Sequence, residues 1–247
     1  MTDLLKDLNE PQREAVTTIE GPVMVIAGAG SGKTRALTYR IAYMIAQGID
    51  PFSIMALTFT NKAAREMKDR IAQLVDASEG RNVWMGTFHS IFARILRLEA
   101  EKIGFTSNFS IYDTDDSKAL INQILKDLSL DPKVYPAKQV LSRISSAKSS
   151  LFSPEDYAEN AEIQEADRKA NKPRIAQLFK LYNERMHRSN AMDFDDILYY
   201  TNVLLRDNAD VLYKYQNRFK YILVDEYQDT NFAQYIIVKR IAALFAN

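Results

Sequence analysis

The segment Val23-Met24-Val25-Ile26-Ala27-Gly28-Ala29-Gly30-Ser31-Gly32-Lys33-Thr34 decides the fold of this chain. It joins a short apolar run to a glycine-rich loop, and a helical pattern from Arg35 to Gln47 follows, closed by Gly48. Small residues let successive backbone N–H groups turn toward an anion, and the dipole of the following helix points at the same place. The pattern therefore predicts a phosphate-binding P-loop between a strand and a helix.

Within this loop the side chains have separate predicted roles. Lys33 reaches the β- and γ-phosphates of a nucleotide, and the Thr34 hydroxyl holds Mg²⁺. The spacing of Gly28 and Gly30 also occurs in dinucleotide folds, but Gly32-Lys33-Thr34 decides against that class. The first position is Ala27, a small side chain that replaces the Gly of the strict pattern. The predicted nucleotide-binding residues of the loop are Ala27, Gly28, Ala29, Gly30, Ser31, Gly32, Lys33 and Thr34.

A second acidic segment follows another short apolar run, Tyr221 to Val224. Asp225 and Glu226 come directly after it, so a strand here places both carboxylates at the carboxyl edge of a sheet, where ligands bind in α/β folds. Asp225 suits the metal ion, and Glu226 is placed to act as general base toward an attacking water. The same stretch also reads as a helix start capped by Asp229 and Thr230, and both interpretations can hold.

Two more apolar runs, Ile54 to Phe59 and Val83 to Thr87, lack alternation, which is typical of parallel strands covered on both faces. Helical patterns follow them at Lys62 to Leu74 and at Ser90 to Ile103. This strand–helix alternation predicts a doubly wound α/β sheet.

Between residues 105 and 190 the sequence predicts helices only. Their starts include the capping segments Asp113-Thr114-Asp115-Asp116 and Ser153-Pro154-Glu155. We therefore expect an α/β core formed by residues 1–104 and 191–247, with a helical insertion formed by residues 105–190.

Composition excludes several classes of protein. The chain has no cysteine, so disulfides and thiolate metal sites are excluded. It has neither a signal peptide pattern nor an apolar run of the roughly 20 residues that cross a bilayer. A cytoplasmic protein without a membrane partner is the expectation.

Charges balance at 32 against 32, so a nucleic-acid surface must be local. One candidate series in the insertion is Lys133, Lys138, Arg143 and Lys148, interpreted either as a solvated face or as a duplex contact.

These motifs together resemble those of superfamily 1 DNA helicases of the UvrD, Rep and PcrA type, in order and over nearly the whole chain. Residues 27–34 resemble their Walker A motif, and residues 225–231, Asp-Glu-Tyr-Gln-Asp-Thr-Asn, their Walker B motif. Residues 58–64 and 86–90 resemble motifs Ia and Ib, and residues 8–12, Leu-Asn-Glu-Pro-Gln, the Q motif. The resemblance implies a RecA-like core that carries a helical subdomain between motif Ib and Walker B.

The resemblance also implies roles for further residues. Gln12 reads adenine, Arg35 packs on the base, and Gln228 couples the γ-phosphate to the DNA site. Phe59 and Phe88, which taken alone would be core aromatics, then stack on single-stranded DNA beside polar neighbours. The implied DNA-binding residues are Phe59, Thr60, Asn61, Thr87, Phe88 and His89.

The implied activity is ATP hydrolysis with Mg²⁺, coupled to 3′ to 5′ translocation on single-stranded DNA toward a duplex junction. The chain stops 18 residues after Asp229, before the family's motif III and its second RecA-like domain, which supplies arginine fingers. The resemblance therefore implies a fragment that lacks the C-terminal half, with little or no turnover alone. The sequence leaves open the cellular pathway and the oligomeric state.

Two other classes of P-loop protein fit the sequence less well. A GTPase needs an Asn-Lys-x-Asp base reader, and neither Asn61-Lys62 nor Asn171-Lys172 continues that pattern. A nucleoside kinase has a short, arginine-rich lid, unlike the long insertion expected here. The rival that stays open is a nucleotide- and DNA-binding module without turnover. A minor alternative takes Asp193-Phe194-Asp195-Asp196 as a metal site, although the segment also reads as a helix cap.

Overall fold

The computed structural model describes residues 4–28 and 30–247 of the chain. Over these residues the protein is a mixed α/β structure with parallel strands and many helices. In chain order the helices and strands are α1 (Glu10–Thr17), α2 (Lys33–Ala46), β1 (Ile54–Thr58), α3 (Asn61–Leu74), α4 (Ala77–Asn82), β2 (Trp84–Thr87), α5 (Phe88–Leu98), β3 (Ser110–Ile111), α6 (Thr114–Asp127), α7 (Ala137–Ser149), α8 (Pro154–Glu159), α9 (Ala161–Lys169), α10 (Ile175–Arg188), β4 (Ala191–Met192), α11 (Phe194–Asp207), α12 (Ala209–Arg218), β5 (Tyr221–Val224) and α13 (Phe232–Ala242).

One compact unit consists of the chain up to Ile91 together with Asn208–Thr230 and Tyr235–Asn247. Its sheet has the order β2-β1-β5, and both pairings are parallel. All residues of β1 and β2 are buried, which explains why these runs are apolar without alternation. The core of this unit combines apolar side chains of α2, α3, the strands and the residue before β2: Ile41, Met44, Ile54, Ala56, Met67, Ile71, Val83, Met85 and Leu223.

Three of the four predicted strands are confirmed as β1, β2 and β5, and each helical pattern after an apolar run corresponds to a helix. The predicted strand at Val23–Ile26 is wrong. These residues belong to no strand, and two of their side chains are strongly exposed, Met24 at 74% and Ile26 at 90%.

The outer edge of β5 gives a physical reason for this difference. N–H groups alternate between the two sides of a strand. The Asp225 N–H donates to Leu57 O of β1 at 2.9 Å, so the Ile222 N–H faces the other side, where it donates to Asn247 O at 3.2 Å. The Asn247 Oδ1 also accepts from the Gly21 N–H at 2.5 Å. Asn247 thus takes the hydrogen bond of Ile222 that a neighbouring strand would use, and it also binds Gly21, just before the apolar run.

The other compact unit consists of Phe92–Asp207 with Asn231–Gln234. It is helical except for β3 and β4, which pair in parallel through Ser110 with Ala191 and Ile111 with Met192. Its core is formed by side chains of α6, α7 and α10, including Ile121, Ile124, Leu125, Val140, Ile144, Leu178, Phe179 and Tyr182. The unit extends beyond the predicted insertion at both ends, because it begins at Phe92 rather than 105 and includes α11.

Both predicted helix starts in this unit are confirmed, and each has a reciprocal capping box. The Asp113 carboxylate accepts from the N–H groups of Asp115 and Asp116 at the start of α6. Ser153 caps α8 in the same way, with Pro154 in the first turn. Such caps satisfy N–H groups that have no partner inside the helix, and each is worth about 1 kcal/mol.

The interpretation of Lys148 as a solvated or duplex-contacting residue is wrong, although Lys133, Lys138 and Arg143 are exposed. Lys148 is 1% exposed, and its Nζ lies 2.7 Å from Asp193 Oδ2 and 2.8 Å from Asp196 Oδ1. The periodicity of α7 places this position on the face that packs toward α11.

The metal alternative for the Asp193–Asp196 segment finds no support in the structure. No group of three or more His, Asp or Glu side chains in residues 4–28 and 30–247 is arranged to hold a metal ion. Over the same ranges, no helix has both the length and the apolar character needed to cross a bilayer.

Candidate functional site

The glycine-rich loop leads directly into α2. Gly30 and Gly32 have positive φ angles of 75° and 87°, which a side chain disfavours. The Ser31 N–H and hydroxyl both donate to Gly28 O, at 3.3 and 2.7 Å, so the loop folds back on itself. Gly32 caps α2 without a side-chain acceptor, which leaves the first N–H groups of the helix available to an anion. Thr34 is half-buried in this first turn, and Ala29 lies outside the described residues.

Gln12 joins α1 to this loop. Its carboxamide Oε1 accepts from the Asn9 N–H at 3.3 Å, while its Nε2 donates to Ser31 O at 2.9 Å. Asn9 Oδ1 in return accepts from the Gln12 N–H at 2.9 Å, which completes a capping box at the start of α1. Sequence reasoning assigned Gln12 to the nucleotide base, and the structure shows that it also contacts the backbone of the loop.

The acidic pair lies at the end of β5. Asp225 is buried, and its N–H continues the pairing with β1. Burial and the neighbouring Glu226 carboxylate raise the pKa of Asp225 above its ordinary value, so the site favours a positive charge beside it. Glu226 has a left-handed backbone with φ 48° and ψ 48°. That conformation is uncommon for a non-glycine residue and costs energy, and such outliers cluster at functional sites.

Lys33 links the loop to the acidic pair. Its Nζ donates to Ala27 O at 3.1 Å and lies 3.8 Å from Glu226 Oε2. The Gln228 Nε2 donates to the same carboxylate oxygen at 2.5 Å. Lysine, glutamate and glutamine side chains from two distant motifs therefore meet at one point, and the carboxylate is only partly exposed.

The predicted DNA-binding residues lie at the ends of β1 and β2, in the segments 59–61 and 87–89. Because Leu57 pairs with Val224 and Thr58 pairs with Thr87 in parallel strands, the chain leaves β1, β2 and β5 at one edge of the sheet. Phe59 is half-buried, with its ring centroid 5.3 Å from that of Phe88, which is 1% exposed. Of the two predicted stacking rings, only Phe59 presents part of its surface to solvent.

The polar members of these groups are partly used within the fold. Thr60 accepts from the Ala63 N–H at 3.1 Å as the cap of α3, and Asn61 is exposed in the first turn. Thr87 is buried, and its Oγ1 accepts from the Ser90 N–H at 3.2 Å. His89 is half-buried.

Sequence reasoning missed two neighbours of Arg35. The Arg35 guanidinium lies over the Tyr39 ring at 5.2 Å, and its Nη2 lies 3.9 Å from Asp7 Oδ2. Tyr39 was detectable from sequence, because it follows Arg35 by four residues on the same helix face. No sequence signal identifies Asp7.

Comparisons with known proteins show the family of this chain. Residues 8–247 match the family described as UvrD/REP helicase N-terminal domain. The chain is 44% identical to ATP-dependent DNA helicase PcrA of Leuconostoc citreum over 97% of its own length and 31% of that protein. It is 45% identical to the protein of the same name from Staphylococcus epidermidis, over 100% of this chain and 33% of the relative. The chain thus spans about a third of the length of the curated relatives it matches.

Gly32 is the glycine of the loop that leaves least room for a side chain. A Cβ on Gly32 would lie 2.7 Å from Gln12 Nε2, and the residue has φ 87°. Gly32→Ala should therefore destabilise the chain by about 1–2 kcal/mol through its backbone alone and displace Gln12 from Ser31. Gly28→Ala is the matched control, because no atom lies within 4 Å of its added Cβ and its φ is not positive. Chemical unfolding of both variants measures the difference, and equal losses would contradict the prediction.

Proposed function

The chain belongs to the UvrD/REP helicase N-terminal domain family, and on that premise we propose that it is the nucleotide-binding motor domain of an ATP-dependent DNA helicase. The proposed core is RecA-like, with residues 105–190 as a helical insertion. The observation that carries the proposal is the meeting of Lys33, from the glycine-rich loop, with Glu226, from the acidic strand end. These two residues are 193 positions apart in sequence, and ATP hydrolysis needs both of them at one phosphate.

The glycine-rich loop is the proposed triphosphate site. Its positive-φ glycines and the uncapped start of α2 supply N–H groups for phosphate oxygens. The Lys33 ammonium contacts Ala27 O and the Glu226 carboxylate. The β- and γ-phosphates of a nucleotide carry more negative charge than these two acceptors, so they can take their place.

Mg²⁺ fits the residues beside this loop. Thr34 offers a hydroxyl oxygen, and Asp225 offers a buried carboxylate whose pKa is raised, so a divalent cation stabilises its charged form. We propose Thr34 and Asp225 as the metal-binding pair. The ion would supply charge neutralisation of the phosphates.

Glu226 is the proposed general base. Its backbone is left-handed, and Lys33 and Gln228 contact the same oxygen of its carboxylate. A carboxylate in this place can accept the proton of an attacking water once Lys33 has moved to the phosphates. Gln228, through its contact with Glu226, is placed to report the state of the phosphate site.

Gln12 is the proposed reader of adenine, with Arg35 packing on the base. A carboxamide has two donor hydrogens and two acceptor lone pairs. The contacts with Ser31 O and the Asn9 N–H use one of each. One donor and one acceptor remain, which matches N7 and the N6 amino group of adenine and leaves a mismatch with the two acceptors of guanine.

The edge formed by the ends of β1 and β2 is the proposed site for single-stranded DNA. Phe59 offers a partly exposed ring supported from below by Phe88, and such rings hold bases without reading sequence. Thr60, Asn61, Thr87 and His89 surround them on the chain. Translocation from 3′ to 5′ and unwinding at a duplex junction are proposed for the longer protein, by resemblance.

Charge removal tests the phosphate site. Lys33→Ala should weaken Mg·ATP binding roughly ten- to a hundredfold, because a charge-assisted hydrogen bond to phosphate is lost. Glu226→Gln should keep the affinity, because the base acts on water and not on the phosphate charge. Lys68→Ala, an exposed lysine of α3, controls for the loss of one positive charge. Isothermal titration calorimetry measures the Mg·ATP affinity of each variant. An unchanged affinity in Lys33→Ala would contradict the proposed site.

Base selection gives a second test. Gln12→Ala should reduce the preference for ATP over GTP by about 1–3 kcal/mol, the usual worth of a bidentate base contact. Asn9→Ala is the control, because it removes the partner in the α1 capping box and leaves the carboxamide in place. Competition titrations of the two nucleotides measure the ratio. An unchanged ratio in Gln12→Ala would assign selectivity to other residues.

Stacking gives a third test. Phe59→Ala should weaken single-stranded DNA binding by about 1–3 kcal/mol with little change in salt dependence, because a base contact is lost and phosphate contacts stay. Phe52→Ala is the matched control, since Phe52 is 48% exposed just before the opposite end of β1. Fluorescence anisotropy at several salt concentrations measures both. Equal affinity of the two variants, with both folded, would contradict the proposal.

A further inference from the structure

Two helices of the helical unit begin with the same sequence pattern, Asp-x-Asp-Asp. In α6 it is Asp113 to Asp116, and in α11 it is Asp193 to Asp196. In both, the first carboxylate accepts from the N–H of the fourth residue, at 2.9 and 2.8 Å. The fourth carboxylate accepts from the N–H of the first, at 3.2 and 3.1 Å. The local geometry is shared, but Asp113 and Asp116 are exposed whereas Asp193 and Asp196 are buried.

Asp193 has the donors that a charged carboxylate needs. Its Oδ2 accepts from Lys148 Nζ at 2.7 Å and from the Tyr182 hydroxyl at 2.9 Å, and its Oδ1 accepts from the Asp196 N–H. Burial opposes its ionisation, but the Lys148 charge and these hydrogen bonds outweigh burial and lower the pKa of Asp193. Asp193 is therefore the ionised partner of Lys148.

Asp196 lacks that support. Its Oδ2 accepts the Asp193 N–H, whereas its Oδ1 accepts no hydrogen bond. The Oδ1 lies 2.8 Å from Lys148 Nζ, so the ammonium charge favours ionisation of Asp196, but burial and the Asp193 charge outweigh it. Burial and the neighbouring Asp193 charge raise the pKa of Asp196 to about 7.

The surrounding groups add no second positive charge. Lys148 is buried, yet the two carboxylates keep its pKa above the ordinary value, so it stays an ammonium. From α10, burial raises the pKa of Tyr182, which keeps its hydroxyl neutral, and from α6 only the Ser117 hydroxyl reaches the cluster, 3.0 Å from that of Tyr182. Within α11, burial also raises the pKa of Asp195 and of Tyr200.

The net charge of Lys148, Asp193 and Asp196 determines whether the cluster binds a proton. With both carboxylates ionised against one ammonium, a net negative charge is buried, which costs much more than a neutral set of groups. One bound proton makes the set neutral. We propose that the Lys148–Asp193–Asp196 cluster is a buried proton-binding site, which holds one proton on Asp196 at mildly acidic pH and stabilises the fold less when that proton leaves.

The direction of the effect follows from linkage. The pKa of Asp196 is raised from its unfolded value near 4 to about 7, so its contribution to stability is fully present below the unfolded pKa. That contribution is lost as pH rises toward about 7 and stays constant above it. Asp193 has the opposite shift, and its contribution is lost only when pH falls below its ordinary pKa. The interval from pH 5 to 8 therefore separates the titration of Asp196 from that of Asp193.

The test compares the 247-residue chain with Asp196→Asn and with Asp116→Asn, the same position in the exposed copy of the pattern. Denaturant unfolding followed by circular dichroism gives the folding equilibrium constant at each pH. Relative to Asp196→Asn, the constant of the unsubstituted chain should fall up to tenfold per pH unit between pH 5 and 7, then level off. Asp116→Asn should keep the dependence of the unsubstituted chain.

Two outcomes overturn the proposal. One is an Asp196→Asn variant whose stability follows the same pH dependence as the unsubstituted chain. The other comes from the unsubstituted chain alone and applies even if the variant fails to fold: carbon-13 NMR titration of the assigned Asp196 carboxyl with a midpoint below pH 5. A midpoint near 7 supports the proposal.

Discussion

The parallel pairing of β1 with both β2 and β5 is the constraint on which the candidate site depends. Parallel strands that pair in register end at the same edge, so the residues after Val224, Thr58 and Thr87 are brought together from three separate parts of the sequence. Because β1 and β2 are wholly buried, separating these strands would expose apolar side chains, each worth about 1.5–3 kcal/mol when buried. This burial keeps the strands paired, and the pairing fixes the position of Asp225 relative to Phe59.

Much of this arrangement was predictable from sequence because the signals are local. Short apolar runs without alternation identified β1, β2 and β5, and caps identified α6 and α8. The run at Val23–Ile26 carries the same local signal and forms no strand. Strand formation needs a partner edge, and hydrogen bonds to Asn247 occupy the place where such an edge would begin. Whether a segment finds a strand to pair with depends on the whole sheet, and the hydrophobic pattern of that segment alone does not predict it.

Burial was the other property that local pattern failed to predict. Asp113 to Asp116 and Asp193 to Asp196 share one motif and one cap geometry, yet one copy is exposed and the other surrounds a buried lysine. The sequence groups Lys148 with the exposed Lys133, Lys138 and Arg143 because no acidic residue stands between them, and that signal does not report burial. The helix period instead turns it toward α11, where the two carboxylates compensate its charge. A charged residue on an apolar helix face can therefore be buried when opposite charges from elsewhere in the chain compensate it.

Glu226, in the candidate site, shows how a local rule can fail at a residue that the rest of the fold holds in an unfavourable conformation. Glu226 has a left-handed backbone, which costs an ordinary residue about 1–2 kcal/mol and which glycine would adopt freely. The carboxylate is the reason for a residue other than glycine, because only a side chain reaches Lys33 and Gln228. Those two contacts are only partly buried, so they offset little of the strain, and the pairing of Asp225 with Leu57 one residue earlier must hold the turn in place. The strain at Glu226 is therefore supported by the sheet, and a substitution that weakened β5 would affect the carboxylate without contacting it.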